Sequence, residues 1–215
     1  GRSPAEPGGE RTSVRHSLPS LRDPLFGWLT LAFATNTLAV VVVTVHLVPY
    51  LREQGHGSAF AATATGALGA LSVTGRLVVT GAGRRWPTGA VTAVAFGVQA
   101  VAVVLLLAAG DSRAGAVAFV VLFGLGFGVG TIARPALLAD GFGVGGYATV
   151  AAVSGIAATA AKTLGPVVAG VTRTVSGSYA PVLVGLALAC TVAACSVARA
   201  GALLRPMSAT ASGGR

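Results

Sequence analysis

The stretch FGLGFGVGTIARP, Phe123 to Pro135, sets glycines at 124, 126, 128 and 130 inside an apolar run. A glycine-rich loop that cradles phosphate needs a strand before it and an exposed helix start after it, where free backbone N–H groups converge on the anion. The spacing excludes that reading. The dinucleotide fingerprint G-x-G-x-x-G fails at Val129, and no Gly-Lys-Ser/Thr follows for the Walker form. Gly124 with Gly128, and Gly126 with Gly130, are instead four apart, the small-xxx-small spacing that lets membrane helices bring their backbones together. These four glycines are read as close-packing or hinge positions, with Pro49 and Pro166 as further hinge candidates in other helices.

The surroundings of that stretch are of the same kind. Hydrophobic residues make up 53% of the chain and charged residues only 10%, and the mean hydropathy of +0.79 lies far above that of an ordinary soluble domain. Six apolar runs are each long enough to cross a bilayer core of roughly 30 Å at about 1.5 Å per residue. They are placed at Leu25 to Leu51, Ser58 to Gly81, Thr88 to Ala109, Gly115 to Leu138, Tyr147 to Thr172 and Tyr179 to Leu203. Between them stand short breaks rich in charge and turn residues: REQGHG, AGRRWP, GDSRA, ADGFGVGG and RTVSGS. The predicted fold is all-α, a polytopic membrane protein of six transmembrane helices with the lipid bilayer as its first partner.

A net charge of +9 would suggest nucleic acid as a partner in a soluble chain, but its distribution here speaks for a membrane. If the six helices alternate, eleven arginines fall on the side of the two termini, and only Arg52, Arg113 and Arg173 fall on the other. That asymmetry predicts both termini in the cytoplasm, in the cell membrane, and leaves nucleic-acid binding without support. Residues 1–22 lack an apolar face and are expected to be a disordered basic cytoplasmic linker, not a secretory signal. Residues 23–206 form the transmembrane unit, and 207–215 are expected to be a disordered cytoplasmic tail. The chain opens on Gly1 without a methionine, and it is expected to be a fragment whose missing part lies upstream. Arginine in place of lysine, with abundant alanine, glycine and valine, points to a high-G+C bacterium.

The segments DPLFGWLTLAF, VHLVPYLREQGHGSAFAA, GRLVVTGAGRR, VLFGLGFGVGTIARPALLAD and GPVVAGVTRTVSGSYAP, in that order, resemble the carboxy-terminal six-helix half of a major facilitator superfamily transporter. The resemblance runs from about Asp23 to Pro206. It implies one six-helix lobe of a twelve-helix secondary transporter, whose two lobes rock about a small-molecule site near the midplane. The family pattern between the second and third helices resembles G-x-L-x-D-R-x-G-R-R. Here the segment is shorter and has no acidic member, although Gly75, Arg76, Gly83, Arg84 and Arg85 can hold the turn by glycine geometry and attraction to lipid phosphate. Two readings of that departure stay open: a degenerate lobe, or a carboxylate latch carried by the missing lobe.

Polar residues within the spans mark which helices face a cavity, because polar groups cost free energy against lipid tails. The first, second and fifth spans are rich in them, whereas the third and sixth hold few and are expected to be peripheral. Lys162 lies about fifteen residues into the fifth span, hence roughly 20 Å deep, where a charge costs on the order of 3 kcal/mol and needs water, a partner or a ligand. Pro166, four residues on, also leaves the Lys162 carbonyl without its usual helix donor. The plainer alternative is that Lys162 snorkels to the outer interface. His46 is a candidate for coupling to a proton or ion gradient, against a structural role as a hydrogen-bonding histidine. Arg134 is expected at the cytoplasmic surface, as an anchor or paired with Asp140, with Pro135 ending or bending the helix.

The remaining chemistry is negative. No histidines, cysteines or carboxylates stand at metal-ligand spacing, no cofactor motif occurs, and no enzyme signature is present. Cys190 and Cys195 are packing residues on one helix. Because the intramembrane ionisable groups, Lys162 and His46, are both potentially cationic, the expected solute is anionic, held near Lys162 with Asn36, Thr63 and Thr159 as hydrogen-bond partners. The partner expected to complete the site is an amino-terminal six-helix lobe or a second copy. A half-size homodimeric transporter and a non-transporting scaffold or regulatory subunit remain the alternatives.

Overall fold

The computed structural model describes residues 21–83 and 85–212, without the side chains of 144 and 205–212. Residues 1–20, most of the expected linker at 1–22, lie outside the described residues, as do Arg84 and the last three residues, 213–215. Among the described residues, six helices long and apolar enough to cross a membrane follow one another: α1 Pro24–Glu53, α2 Ser58–Ala82, α3 Thr88–Ala109, α4 Arg113–Gly143, α5 Gly145–Ser176 and α6 Ala180–Leu204. No strand occurs among the described residues.

Local chemistry sets several boundaries. Asp23 caps α1, accepting the Leu25 N–H at 2.8 Å, with Pro24 at the first helical position where its missing N–H costs nothing. Ser112 caps α4 in the same way, through the Gly115 N–H at 3.0 Å. Gly177, with φ of 70°, ends α5 in the left-handed conformation that relieves helix carbonyls.

Two boundaries differ from expectation. The ADGFGVGG segment forms no loop: α4 continues past Pro135 to Gly143, and the break is confined to that glycine, at φ 60° and ψ −176°. Packing overrides glycine's poor helix propensity here, because the α-carbon of Gly141 sits so close to Leu25 that a β-carbon would come within 2.7 Å of its side chain. At the other end, the helix of α6 runs on to Ser212, through residues 207–212 where disorder was expected.

Apolar side chains fill the bundle in two layers. One gathers Leu25, Leu29, Phe33, Phe96 and Leu137 near the end where α1 begins; the other gathers Leu51, Leu68, Leu106, Phe119 and Phe123 towards the end where α1 finishes. The most extensive helix contacts pair α3 with α6, α1 with the 129–176 segment, α1 with α6, and α2 with the first half of α4.

The opening glycines make the α4 contacts close. Gly124 and Gly128 face α2, where added β-carbons would collide with Leu71 and with the Ser72 carbonyl. Gly126 faces Gln99 of α3, and Gly130 faces Asn36 of α1. Gly75 answers from α2, against the Leu125 backbone. It therefore lies within a helix interface, about two helical turns before the turn that contains Gly83 and the exposed Arg85. Arg76 is exposed, its Nη2 donating to Ser72 Oγ at 3.4 Å.

Candidate functional site

A cavity of about 490 Å³ opens between α1, α4 and α5. From α1 come Phe33, Asn36, Thr37 and Val40; from α4 come Phe127, Gly130, Thr131, Arg134 and Pro135; from α5 come Tyr147, Ala151 and Lys162. Helical periodicity explains the α4 set, since 127, 130/131 and 134 fall on one face. None of the lining residues belongs to α2, α3 or α6.

Arg134 is the correction the structure makes. The sequence puts it at a surface, but α4 continues nine residues beyond it, so its α-carbon stands roughly 13 Å inside that end of the helix and its side chain lines the cavity. It is half-buried, and its Nη2 donates to the Ala151 carbonyl of α5 at 3.2 Å. Asp140 is exposed and makes no ion pair among the described residues. The signal was present in the spacing: Arg134 follows Gly130 by one turn and shares its face.

Lys162 lies near the middle of α5, about 10 Å further along that helix than Gly155, which packs beside the Arg134 guanidinium. Its side chain is exposed to the cavity and has no hydrogen bond or ion pair among the described residues. Two cationic side chains thus line one space, and among the described residues no carboxylate lines it with them. The rest of the wall is mostly apolar or aromatic.

Asn36, 4% exposed, joins Lys162 in this cavity. Its Nδ2 donates to Gln99 Oε1 at 2.8 Å, and the missing side chains of Gly126 and Gly130 make room for the amide pair. Gln99 is wholly buried, and its own Nε2 has no partner among the described residues. An amide pair bridging α1 and α3 is strongly directional in a low-dielectric interior.

The other candidates stand elsewhere. Thr63 and Thr159 are exposed and line no part of the cavity, and the Thr63 hydroxyl donates to its own helix at the Ala59 carbonyl, 2.9 Å away. Thr65, Ser72 and Thr80 of α2 do likewise at carbonyls three or four residues back. These four hydroxyls are thereby satisfied within the helix, and their presence in α2 does not mark a cavity wall.

His46 belongs to a cluster towards the far end of α1. Its Nε2 lies 3.1 Å from the Pro166 carbonyl, which can only accept, so that nitrogen carries the proton. Nδ1 then accepts from the Tyr179 hydroxyl at 3.2 Å. Arg173 stands 5.3 Å over the Tyr179 ring and forks onto Glu53, the shortest contact being 2.9 Å. Burial raises the Tyr179 pKa, the Glu53 charge adds to that and Arg173 opposes it, so the phenol keeps its proton. These contacts tie α1, α5 and the start of α6 together. Nearby, the Tyr50 hydroxyl donates to the Leu106 carbonyl at 2.8 Å and His56 Nε2 to that of Gly110 at 2.8 Å. Among the described residues no group of three or more histidines, cysteines or carboxylates is placed to hold a metal.

Compared with known proteins, residues 9–199 match the model of a family described as "Uncharacterised MFS-type transporter YbfB". No curated protein matches the chain.

Proposed function

The chain belongs to that family of MFS-type transporters, and from this premise we propose that it forms one wall of the solute path of a secondary active transporter for a small anionic organic solute. The observation that carries this is the pairing of Arg134 and Lys162 in one cavity that no carboxylate lines among the described residues. Two like charges in a confined, mostly apolar space raise each other's cost, and an anion offsets both.

Alternating access requires a second lobe on the open side of this one. Support comes from α2 and α5, which are the least apolar spans and the least enclosed by the rest of the bundle. An amino-terminal six-helix lobe or a second copy covers these faces in this proposal. The arginine excess at the end holding Arg76, Arg85 and Arg199 supports a cytoplasmic position for that end in this proposal.

Uptake into proteoliposomes by the intact protein, over a panel of anionic, neutral and cationic organic solutes, tests the proposal. Anions are expected to be taken up, with Lys162→Ala and Arg134→Gln each lowering the rate about tenfold or more at equal expression. Unchanged rates in both variants would sink it.

A further inference from the structure

We infer that the transported solute is a hydroxylated anion, presenting neutral O–H donors beside its negative charge. This rests on the anion proposal above and narrows it. The Thr37 hydroxyl donates to the Phe33 carbonyl at 2.6 Å and the Thr131 hydroxyl to the Gly128 carbonyl at 2.7 Å. Each has used its one proton, so both present only lone pairs to the cavity they line. Asn36 adds a third acceptor. Its Nδ2 is held by Gln99, and its Oδ1 is turned to Gly130, itself a lining residue.

The cavity therefore has one wall of acceptors, on α1 and the facing turns of α4, and a second region of cationic donors at Arg134 and Lys162. Arg134 uses one Nη2 contact on the Ala151 carbonyl, which leaves most of its fork for an anion. A plain carboxylate satisfies the cations but strips water from three acceptors and returns nothing to them. An ammonium group would satisfy the acceptors, yet it enters a space with two positive charges and no carboxylate. A hydroxyl donates without charge. About 490 Å³ admits a carbon skeleton of several atoms against Phe33, Phe127 and Tyr147.

The test is uptake by the intact protein in proteoliposomes of two triplets that share a skeleton and differ in one group: propionate, lactate and alanine, and succinate, malate and aspartate. In at least one triplet the hydroxy acid is expected to exceed both of its analogues by about three- to tenfold, the worth of one hydrogen bond. Thr37→Val, and separately Thr131→Val, should bring the hydroxy-acid preference towards one, each checked for folding by its elution from a sizing column in detergent. Equal uptake of the plain and hydroxylated acids, preference for the amino acid, or a preference unmoved in both well-folded variants overturns the inference while leaving anion transport standing. Failure of every anion in both triplets overturns the inference together with the anion proposal beneath it.

Discussion

His46 shows how the same residue carries different weight once its neighbours are known. In the sequence it was a lone intramembrane histidine open to a coupling role; in the structure both ring nitrogens are engaged, by a backbone carbonyl and a tyrosine hydroxyl. A clamp between α1, α5 and α6 predicts a loss of stability on removal. His46→Ala should cost about 1–3 kcal/mol, read as a lower midpoint of thermal unfolding in detergent. Tyr179 adds a pH dependence whose sign follows from its raised pKa. The fold disfavours the phenolate, so the stability contributed is whole below the free-phenol value of 10.0 and is lost as pH rises through the higher folded value. Thermal midpoints measured across alkaline pH should fall less steeply in Tyr179→Phe than in the unaltered protein. Lys162 was legible from sequence because a charge deep in an apolar run has few explanations. For Arg134 the spacing shows the face it shares with Gly130 but not its depth, because the expected span ends at Leu138, five residues short of Gly143.

At the scale of helices, the four glycines of the 123–135 stretch divide by their four-residue spacing into a pair that faces α2 and a pair that faces the Gln99–Asn36 amide bridge between α3 and α1. Gly75→Ala and Gly128→Ala would drive a β-carbon into backbone carbonyls of Leu125 and Ser72, where no side chain can move aside. Each is expected to destabilise by about 2 kcal/mol or more. Gly69→Ala on α2 and Gly97→Ala on α3 meet nothing within 4 Å, and the thermal midpoint should hold or rise slightly. A uniform response of all four would contradict the interface assignment. Apolar length made five of the six spans readable to within a few residues. Gly/Asp-rich composition misled at 139–146, where tertiary packing of Gly141 against α1 and α6 kept the chain helical.

Over the whole molecule, the six-helix lobe was legible because hydropathy, charge distribution and turn residues agreed. The membership of the polar wall was not, because threonines that bond their own helix look the same in sequence as threonines that face a cavity. Thr63 and Thr37 both donate to a carbonyl four residues back, and only Thr37 borders the open space. The central claim is that this space is water-accessible, positive and part of the solute path. It is tested most directly by the labelling rate of Thr37→Cys, in protein whose Cys190 and Cys195 are alanine, with thiol reagents of equal size and opposite charge. The anionic reagent is expected to react about tenfold faster than the cationic one, with the difference abolished when Lys162→Ala and Arg134→Gln are added. Equal rates for the two reagents, or no labelling at all, would contradict it.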